Sequence, residues 1–350
     1  MIIAMDFGNY IFESTMVDVV SFVFVFLISW LGIFLYRKIA VKKSILAYSN
    51  FRMLHEGSIP KGGGIVFSFI FVACVLVLWW FGKLPEDMFW VLGVGGFVAA
   101  LFGFLDDLIN IRASRKLIVQ VCLSGWALYW FGGPVLSEIN LIPNFISIPF
   151  LLFFLVWVIN AYNFMDGIDG MAASGAVFIS GTLAIVMLIT DGSLELATLF
   201  FLLIASVGAF MIFNWPPASI FMGDAGSVFL GYIFGSLILD TILNVEISVW
   251  TWLTVFGYFI ADTVVTQIAR VILVKNWYGA HRSHAYQNLT RITGSHLKIT
   301  MGVTAYNLVW IFPLTIWTVL QPEMAIFAAV LAITPGVVLT YKYGPILSSS

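Results

Sequence analysis

Long apolar stretches recur along the whole chain. A membrane-spanning helix needs about 20 predominantly apolar residues, and this 350-residue sequence is 61% hydrophobic and only 10% charged. A soluble domain, in which about 25% of residues are charged, is therefore excluded. We predict an all-α, polytopic integral membrane protein in which residues 1–350 form a single domain with about 11 transmembrane helices. The predicted spans are 18–36, 63–82, 88–105, 117–132, 147–161, 171–190, 196–213, 225–243, 248–269, 300–320 and 324–341.

The basic residues favour one side of the membrane. If the loops alternate sides, fifteen of the sixteen Lys and Arg residues share one side, and only Lys83 lies opposite. Because positively charged loops face the cytoplasm, we predict a periplasmic N-terminus and a cytoplasmic C-terminus. The first span lacks a basic leader and a cleavage site, so it is expected to be retained. The predicted cytoplasmic loops lie near 37–62, 106–116, 160–170, 214–225 and 270–299.

Two adjacent carboxylates, Asp106 and Asp107, end the third predicted span. They repel each other unless a cation lies between them, so the pair suits either a divalent metal or general-base chemistry. Helical spacing places Asn110 on the same face as Asp106. The basic cluster that follows includes Lys116. It either reflects the ordinary excess of basic residues in cytoplasmic loops or binds a diphosphate.

The segment 160–170 has the densest polar pattern of the chain. If the fifth predicted helix continues through it, its polar residues form one stripe at the cytoplasmic end. Gly167 and Gly170 let the chain turn close to a ligand. The alternative is helix capping and a hydrated turn. The polar residues, each three positions from the next, are Asn160, Asn163, Asp166 and Asp169.

Asp224 follows two prolines that end the seventh predicted span. It can cap the next helix or bind a metal beside the other acids. In the first cytoplasmic loop, His55 and Lys61 precede three glycines, 62–64. These glycines offer amide donors to an anion at a helix start, or they form a flexible entry into a membrane helix.

The last basic loop contains His281, Arg282 and His284. Two histidines three residues apart, with no cysteine nearby, are a poor zinc signature. Contact with phosphate or sugar is the preferred interpretation, and ordinary loop residues are the alternative. His296 has no such neighbours and is predicted to be a plain loop residue.

The order of these motifs resembles the polyprenyl-phosphate N-acetylhexosamine-1-phosphate transferases. This family includes the bacterial phospho-MurNAc-pentapeptide and GlcNAc-1-phosphate transferases and the eukaryotic dolichyl enzyme. The resemblance runs from about Asn50 to His284. Its motifs are H-x-x-x-x-P-K-G-G-G from His55, D-D-x-x-N from Asp106, N-x-x-N-F-x-D-G-x-D-G from Asn160 and N-x-x-P-A-x-I-F-M-G-D-x-G-S from Asn214, followed by the histidine-bearing loop.

The resemblance implies a role for each matching residue. Asp224 matches the metal-binding aspartate, and Asn163 matches an asparagine that binds the metal or lies beside it. Phe221 matches an aromatic residue that stacks on uracil, and Asp169 matches the position that reads the uracil edge. The other expected groups are the catalytic centre of Asp106, Asp107 and Asn110, nucleotide-site residues Asp166 and Asn160, and phosphate- or sugar-binding residues Lys116, Arg282, His281, His284, Lys61 and His55.

The implied reaction transfers a sugar 1-phosphate from a UDP-sugar to undecaprenyl phosphate with Mg²⁺, for which Mn²⁺ substitutes, and releases UMP. It proceeds by one displacement or through a phospho-enzyme. The expected partners are a UDP-N-acetylhexosamine, polyprenyl phosphate, the lipid bilayer and a second copy in a homodimer, with no nucleic acid. The expected location is the bacterial inner membrane, with the site facing the cytoplasm. The alternative is a transporter, but transporters place acids near the bilayer midplane on repeated halves.

The chain departs from the family pattern in two places. Asn110 replaces a third acid found in many bacterial members and resembles the eukaryotic pattern. The H-x-H-H motif is reduced to His284-Ala-Tyr286-Gln287, a form that resembles enzymes initiating O-antigen or related surface-polysaccharide repeats. The expected sugar is therefore an N-acetylhexosamine or its 6-deoxy derivative.

Overall fold

A computed structural model describes residues 2–43, 46–47, 59–138, 144–273 and 283–345. These ranges are almost entirely helical, because the apolar stretches satisfy their backbone hydrogen bonds internally. One antiparallel pair of short strands, β1 (Leu46–Ala47) and β2 (Ile59–Pro60), precedes the second helix. The helices are α1 (Ile2–Lys42), α2 (Gly64–Trp80), α3 (Glu86–Ile109), α4 (Ala113–Glu138), α5 (Asn144–Phe164), α6 (Met171–Ile189), α7 (Leu194–Asn214), α8 (Asp224–Leu243), α9 (Val249–Val255), α10 (Gly257–Leu273), α11 (Ala285–Thr293), α12 (His296–Leu320) and α13 (Pro322–Tyr343).

Eight of the described helices are long and apolar enough to cross a membrane, and α9 with α10 adds a ninth if the bent pair is one span. Large apolar side chains cover their outward faces; Phe24, for example, is 62% exposed. Such surfaces suit contact with lipid. The prediction of an all-α polytopic membrane protein is confirmed. The predicted spans 63–82 and 117–132 correspond to α2, which has only 17 residues, and to α4. The count of eleven and the orientation stay predictions.

The predicted span 248–269 is not one straight helix. The chain bends by 82° between α9 and α10. Phe256 leaves the helical conformation, with φ −87° and ψ 6°. A Cβ on Gly257 would lie 3.0 Å from the Ile311 side chain, so the bare glycine lets α10 begin tightly against α12. An average of hydropathy over a window does not detect such a break.

Helix α8 lies at the centre of the structure. It packs against α2, α3, α4 and α5, and nearly every residue from Ala225 to Thr241 is buried. A helix that is apolar on all sides needs neighbours all round, and small residues let those neighbours approach. A Cβ on Gly231 would lie only 2.7 Å from the Cα of Ile159. This packing fixes the position of Asp224, the first residue of α8.

Candidate active site

Segments far apart in the sequence meet at the first turn of α8. They are the residues before α2, the end of α3, the start of α4 and the end of α5, and each is held there by hydrogen bonds or ion pairs. Five charged residues come together, and we call them the acid–lysine cluster: Lys61, Asp106, Asp107, Lys116 and Asp224.

Asp107 anchors the first turn of α8. Its Oδ1 accepts a hydrogen bond from the Asp224 amide at 2.9 Å, and its Oδ2 accepts one from the Ala225 amide at 3.1 Å. Amides in the first turn of a helix have no partner within the helix. A Cβ on Gly223 would lie 2.3 Å from Oδ2, so only glycine permits this approach. Asp107 therefore acts as an N-cap that another helix supplies.

Lys116 forms ion pairs with the carboxylates of Asp106 and Asp224. Its Nζ contacts Asp106 Oδ2 and lies 3.0 Å from Asp224 Oδ2. The second oxygen of Asp106 accepts the Ile111 amide at 2.6 Å. Two acids thus share one cation. The sharing pair, however, is Asp106 with Asp224 rather than the adjacent Asp106 and Asp107.

Lys61 neutralises the charge of Asp107. Its Nζ lies 2.8 Å from Asp107 Oδ1, whose side chain is fully buried. The Tyr36 hydroxyl donates to the Lys61 carbonyl at 2.9 Å and holds the backbone in place. Burial lowers the pKa of Lys61, but the charge of Asp107 raises it, and the net shift is upward. Lys61 therefore stays an ammonium ion.

Replacing Lys61 with Met is expected to destabilise the protein by about 2 kcal/mol, less than for a fully buried pair because the ammonium is partly exposed. The substitution keeps the volume of the side chain but leaves the buried Asp107 carboxylate without its cation. Thermal unfolding in detergent measures the effect. Lys83→Met, which alters an exposed lysine before α3, is the control. Equal unfolding midpoints for the two variants would contradict the assigned ion pair.

The glycines at 62–64 serve packing. The Gly63 amide donates to the Phe221 carbonyl and the Gly64 amide to the Met222 carbonyl, both at 3.0 Å. A Cβ on Gly64 would lie 2.3 Å from the Gly226 Cα. The segment before α8 therefore accepts the hydrogen bonds of both amides. In this structure these glycines neither bind an anion nor form a loose entry into α2; they allow close backbone contact.

The predicted polar stripe at 160–170 is divided, because α5 ends at Phe164. Asn160 and Asn163 lie on the helix, whereas Asp166 and Asp169 lie in the turn that follows. The Asn160 amide pairs with Gln120 of α4 at 2.8 and 3.3 Å. The Asn163 amide donates to Ser227 Oγ, one turn into α8, at 3.0 Å. Of these two side chains, Asn163 is the one that hydrogen-bonds α8.

Asp166 faces the acid–lysine cluster. Its carboxylate accepts a hydrogen bond from the Gly223 amide, directly before Asp224. Burial, reinforced by the charges of Asp224 and Asp107, raises the pKa of Asp166 well above its usual range. Asp166 therefore belongs with the acids at α8.

Asp169 points elsewhere. Its Oδ2 accepts the Ala218 amide at 3.0 Å, and its Oδ1 lies 3.1 Å from His296 Nδ1. The interpretation of His296 as a plain loop residue is wrong, because it begins α12 and contacts Asp169. The signal was the preceding Gly294-Ser295, since Ser295 caps the helix by accepting the Lys298 amide and serine is a favoured N-cap.

His284 lies beside a buried acid. It is 1% exposed, its Nδ1 is 3.5 Å from Asp262 Oδ1, and its ring packs against Phe164 and Tyr286. In this structure its ring is therefore enclosed by protein groups. Its predicted contact with phosphate or sugar requires these groups to move.

The remaining predicted residues are placed as follows. Asn110 is wrongly predicted to share a helical face with Asp106, because it ends α3 in the left-handed conformation with φ 50°. Phe221 is half-buried, and its amide donates to the Pro60 carbonyl at 2.8 Å. Three predicted residues, His55, His281 and Arg282, lie outside the described residues.

The donor set fits a magnesium ion. Mg²⁺ typically takes one or two carboxylates and keeps several waters. Asp106 and Asp224 converge on one point, where the Lys116 ammonium supplies positive charge. Within the described ranges, no group of three or more His, Cys, Asp or Glu side chains could hold a metal by itself. Two carboxylates would leave the other coordination positions of such an ion to water or substrate oxygens.

The chain is similar to known proteins over the region that contains most of the cluster. The model of glycosyl transferase family 4 matches residues 89–242, which include four of the five cluster residues. The chain is 30% identical over 268 residues to a probable undecaprenyl-phosphate N-acetylglucosaminyl 1-phosphate transferase of Bacillus subtilis, covering 74% of each chain. It is 32% identical over 223 residues to a phospho-N-acetylmuramoyl-pentapeptide-transferase of Clostridium beijerinckii, covering 59% of this chain and 65% of that one. The predicted resemblance is confirmed, and the chain belongs to glycosyl transferase family 4.

Proposed function

We propose that the protein transfers a sugar 1-phosphate from a UDP-sugar to undecaprenyl phosphate, releasing UMP and forming a polyprenyl-diphosphate-linked sugar. The acid–lysine cluster carries this proposal. Joining a phosphate monoester to a diphosphate brings anions together, so the reaction needs positive charge and a bound divalent ion. Family membership supports the proposal, since the Bacillus subtilis relative is named for an undecaprenyl-phosphate sugar 1-phosphate transfer.

We propose that the donor nucleotide binds beside Phe221. The backbone of this residue is fixed on both sides, by the Pro60 carbonyl and the Gly63 amide, and its ring is left half-buried to stack on uracil. Asp169 is proposed to hydrogen-bond the edge of the uracil ring. Because both of its carboxylate oxygens already face protein groups, it would read uracil by exchanging one of those partners.

An apolar groove is proposed to hold the polyprenyl chain. It is formed by α5, α8, α9 and α10, and its lining is almost entirely apolar. It runs from Ile242 and Val249 to Tyr162 and Thr263. Tyr162 adjoins Asn163, which contacts α8, so a lipid tail in this groove would bring its phosphate towards the acid–lysine cluster. The bend between α9 and α10 shapes one wall.

The reaction forms a bond from an oxygen of the lipid phosphate to the β-phosphorus of the UDP-sugar. The bond from that phosphorus to the oxygen of the α-phosphate breaks, and UMP leaves. A phosphate monoester has a second pKa of about 6, so it is mostly ionised at pH 7. Neutralising charge is therefore a larger task than removing a proton. Lys61 and Lys116 supply part of that charge.

The three acids are proposed to divide the remaining work. Asp107 keeps the first turn of α8 in place, because both of its oxygens are engaged there. Asp106 orients the lipid phosphate and takes any remaining proton. Asp224, with Asp106 and Asn163, would hold Mg²⁺. When bound, this ion neutralises diphosphate oxygens and aligns them for in-line attack.

The cluster is proposed to face the cytoplasm of a bacterial inner membrane. The basic residues Arg112 and Arg115 lie beside it in the sequence and are exposed, and positive loops mark the cytoplasmic side. Donor nucleotide and lipid headgroup can meet at this position. We propose that the product starts an O-antigen or related surface polysaccharide.

Release of UMP tests the proposal. Purified protein is incubated with undecaprenyl phosphate, Mg²⁺ and a panel of UDP-N-acetylhexosamines that includes 6-deoxy sugars. We expect release with at least one donor, dependent on both the lipid and the metal. No release with any donor would overturn the proposal. The preferred donor identifies the sugar, and a trapped phospho-aspartate would show two displacements.

A further inference from the structure

A buried tyrosine hydroxyl bridges the turn that follows α5. Tyr286, in α11, is fully buried. Its hydroxyl donates to the Phe164 carbonyl at 2.6 Å and accepts a hydrogen bond from the Gly167 amide. The carbonyl at a helix end has no partner within the helix. One hydroxyl thus satisfies the backbone on both sides of Asp166.

The Tyr286 hydroxyl packs directly against Gly167. A Cβ on Gly167 would lie 2.1 Å from the Tyr286 hydroxyl and 2.6 Å from Gln287 Nε2. The Gln287 side chain also hydrogen-bonds the Tyr286 hydroxyl, and it accepts the His284 amide at 3.4 Å. The tyrosine is therefore held in one orientation against the turn.

Helix α11 is itself anchored from α10. Asp262 is fully buried. Its Oδ1 accepts the Ala285 amide, in the first turn of α11, at 3.0 Å and the Thr266 hydroxyl at 3.2 Å. A carboxylate at the start of a helix stabilises it. The position of Tyr286 is thus fixed relative to a membrane helix.

The turn after α5 connects Tyr286 to the acids at the start of α8. Asp166, between the two backbone groups that Tyr286 holds, accepts the amide of Gly223. The next amide, that of Asp224, is held by Asp107. A shift of the turn would therefore move the backbone in front of Asp224, and a displacement of about 1 Å can cost about 100-fold in rate.

We propose that Tyr286 is a positioning residue for the transfer reaction, and that it acts by holding Asp166 and the Gly223–Asp224 backbone in register. The inference rests on the proposed function. The role is distinct from binding substrate, since the ring lies entirely within protein.

Tyr286→Phe tests the inference. This variant removes the bridging oxygen and keeps the ring. We expect kcat for UMP release to fall about 10- to 100-fold. The KM for the UDP-sugar should change less than about twofold, because the substitution leaves Phe221 in place and the Asp169 carboxylate keeps its own contacts with Ala218 and His296. Amide hydrogen exchange over 164–170 is expected to become faster.

Two matched variants serve as controls. Tyr258→Phe removes a buried hydroxyl that has no hydrogen-bond partner among the described residues, so it is expected to leave kcat and exchange unchanged. Tyr306→Phe removes a hydroxyl that donates to the Ala332 carbonyl, away from the turn. It is expected to lower stability without lowering kcat tenfold.

An unchanged kcat in Tyr286→Phe, an equal loss in Tyr306→Phe, or a raised KM with kcat retained would overturn the inference. Failure of the proposed function is distinguishable, because the wild-type protein would then release no UMP. In that event hydrogen exchange decides: faster exchange over 164–170 in Tyr286→Phe alone supports the bracing contact, and unchanged exchange refutes it.

Discussion

Replacing Asp224 with Asn is expected to lower kcat for UMP release by about 100- to 1,000-fold, the size of effect seen when one group that stabilises the transition state electrostatically is removed. The side chain keeps its shape, and the amide that Asp107 holds belongs to the backbone, so the first turn of α8 should persist. What is lost is the negative charge that Lys116 contacts at 3.0 Å. Steady-state UMP release at saturating donor and lipid measures the effect.

Asp191→Asn provides the matched control. Asp191 lies in the turn between α6 and α7 with φ 50°, at the far end of α7 from Asn214. Asparagine tolerates that conformation at least as well as aspartate. The control should keep wild-type activity. If Asp224→Asn kept more than a tenth of that activity, Asp224 would not hold the metal.

Gly103→Ala is expected to abolish activity and to lower the thermal unfolding midpoint. A Cβ at this position in α3 would lie 2.2 Å from the Asp224 carbonyl oxygen and 2.8 Å from the Ala225 Cα. Both contacts are with backbone, which cannot rotate away. Overpacking of this kind typically costs about 1–3 kcal/mol. Because the displaced residue is Asp224, the loss of activity should exceed the loss of folded protein.

Gly302→Ala is the control for this substitution. Gly302 lies in α12, and a Cβ there would meet nothing within 4 Å. Alanine in a helix interior is more stable than glycine by about 0.5–1 kcal/mol, so the midpoint should stay level or rise. A Gly103→Ala protein with normal activity would show that α3 and α8 are not in backbone contact. Size-exclusion profiles separate misfolding from a local shift at Asp224.

Several features of the fold could be predicted from the sequence because they depend on composition over many residues. Apolar stretches of about 20 residues became helices, since membrane spans satisfy their own backbone. The break at Phe256 could not be predicted, because it depends on the contact of Gly257 with α12. Hydropathy is an average over a window, and a single residue that leaves the helical conformation does not alter it.

The sequence predicted which types of residue form the candidate site, but it was less informative about which side chains contact each other. Asp106, Asp107 and Asp224 were expected near each other, and they share the first turn of α8. Asp106 contacts Lys116 whereas Asp107 caps α8, because side chains at adjacent helical positions point in different directions. The end of α5 at Phe164 had a signal, because two glycines within four residues favour a helix end. The partners Gln120 and Tyr286 had none, since they come from distant helices.

The capping of α8 by Asp107 has a consequence for biogenesis. The acid that stabilises this helix is made more than a hundred residues before the amides it binds. Until residue 225 has entered the membrane, the nascent chain carries this carboxylate without its helix, with Lys61 as its companion. The brace at Tyr286 arrives later still. Translation must therefore pass residue 225 before Asp107 and the two amides that it caps are present in the same chain.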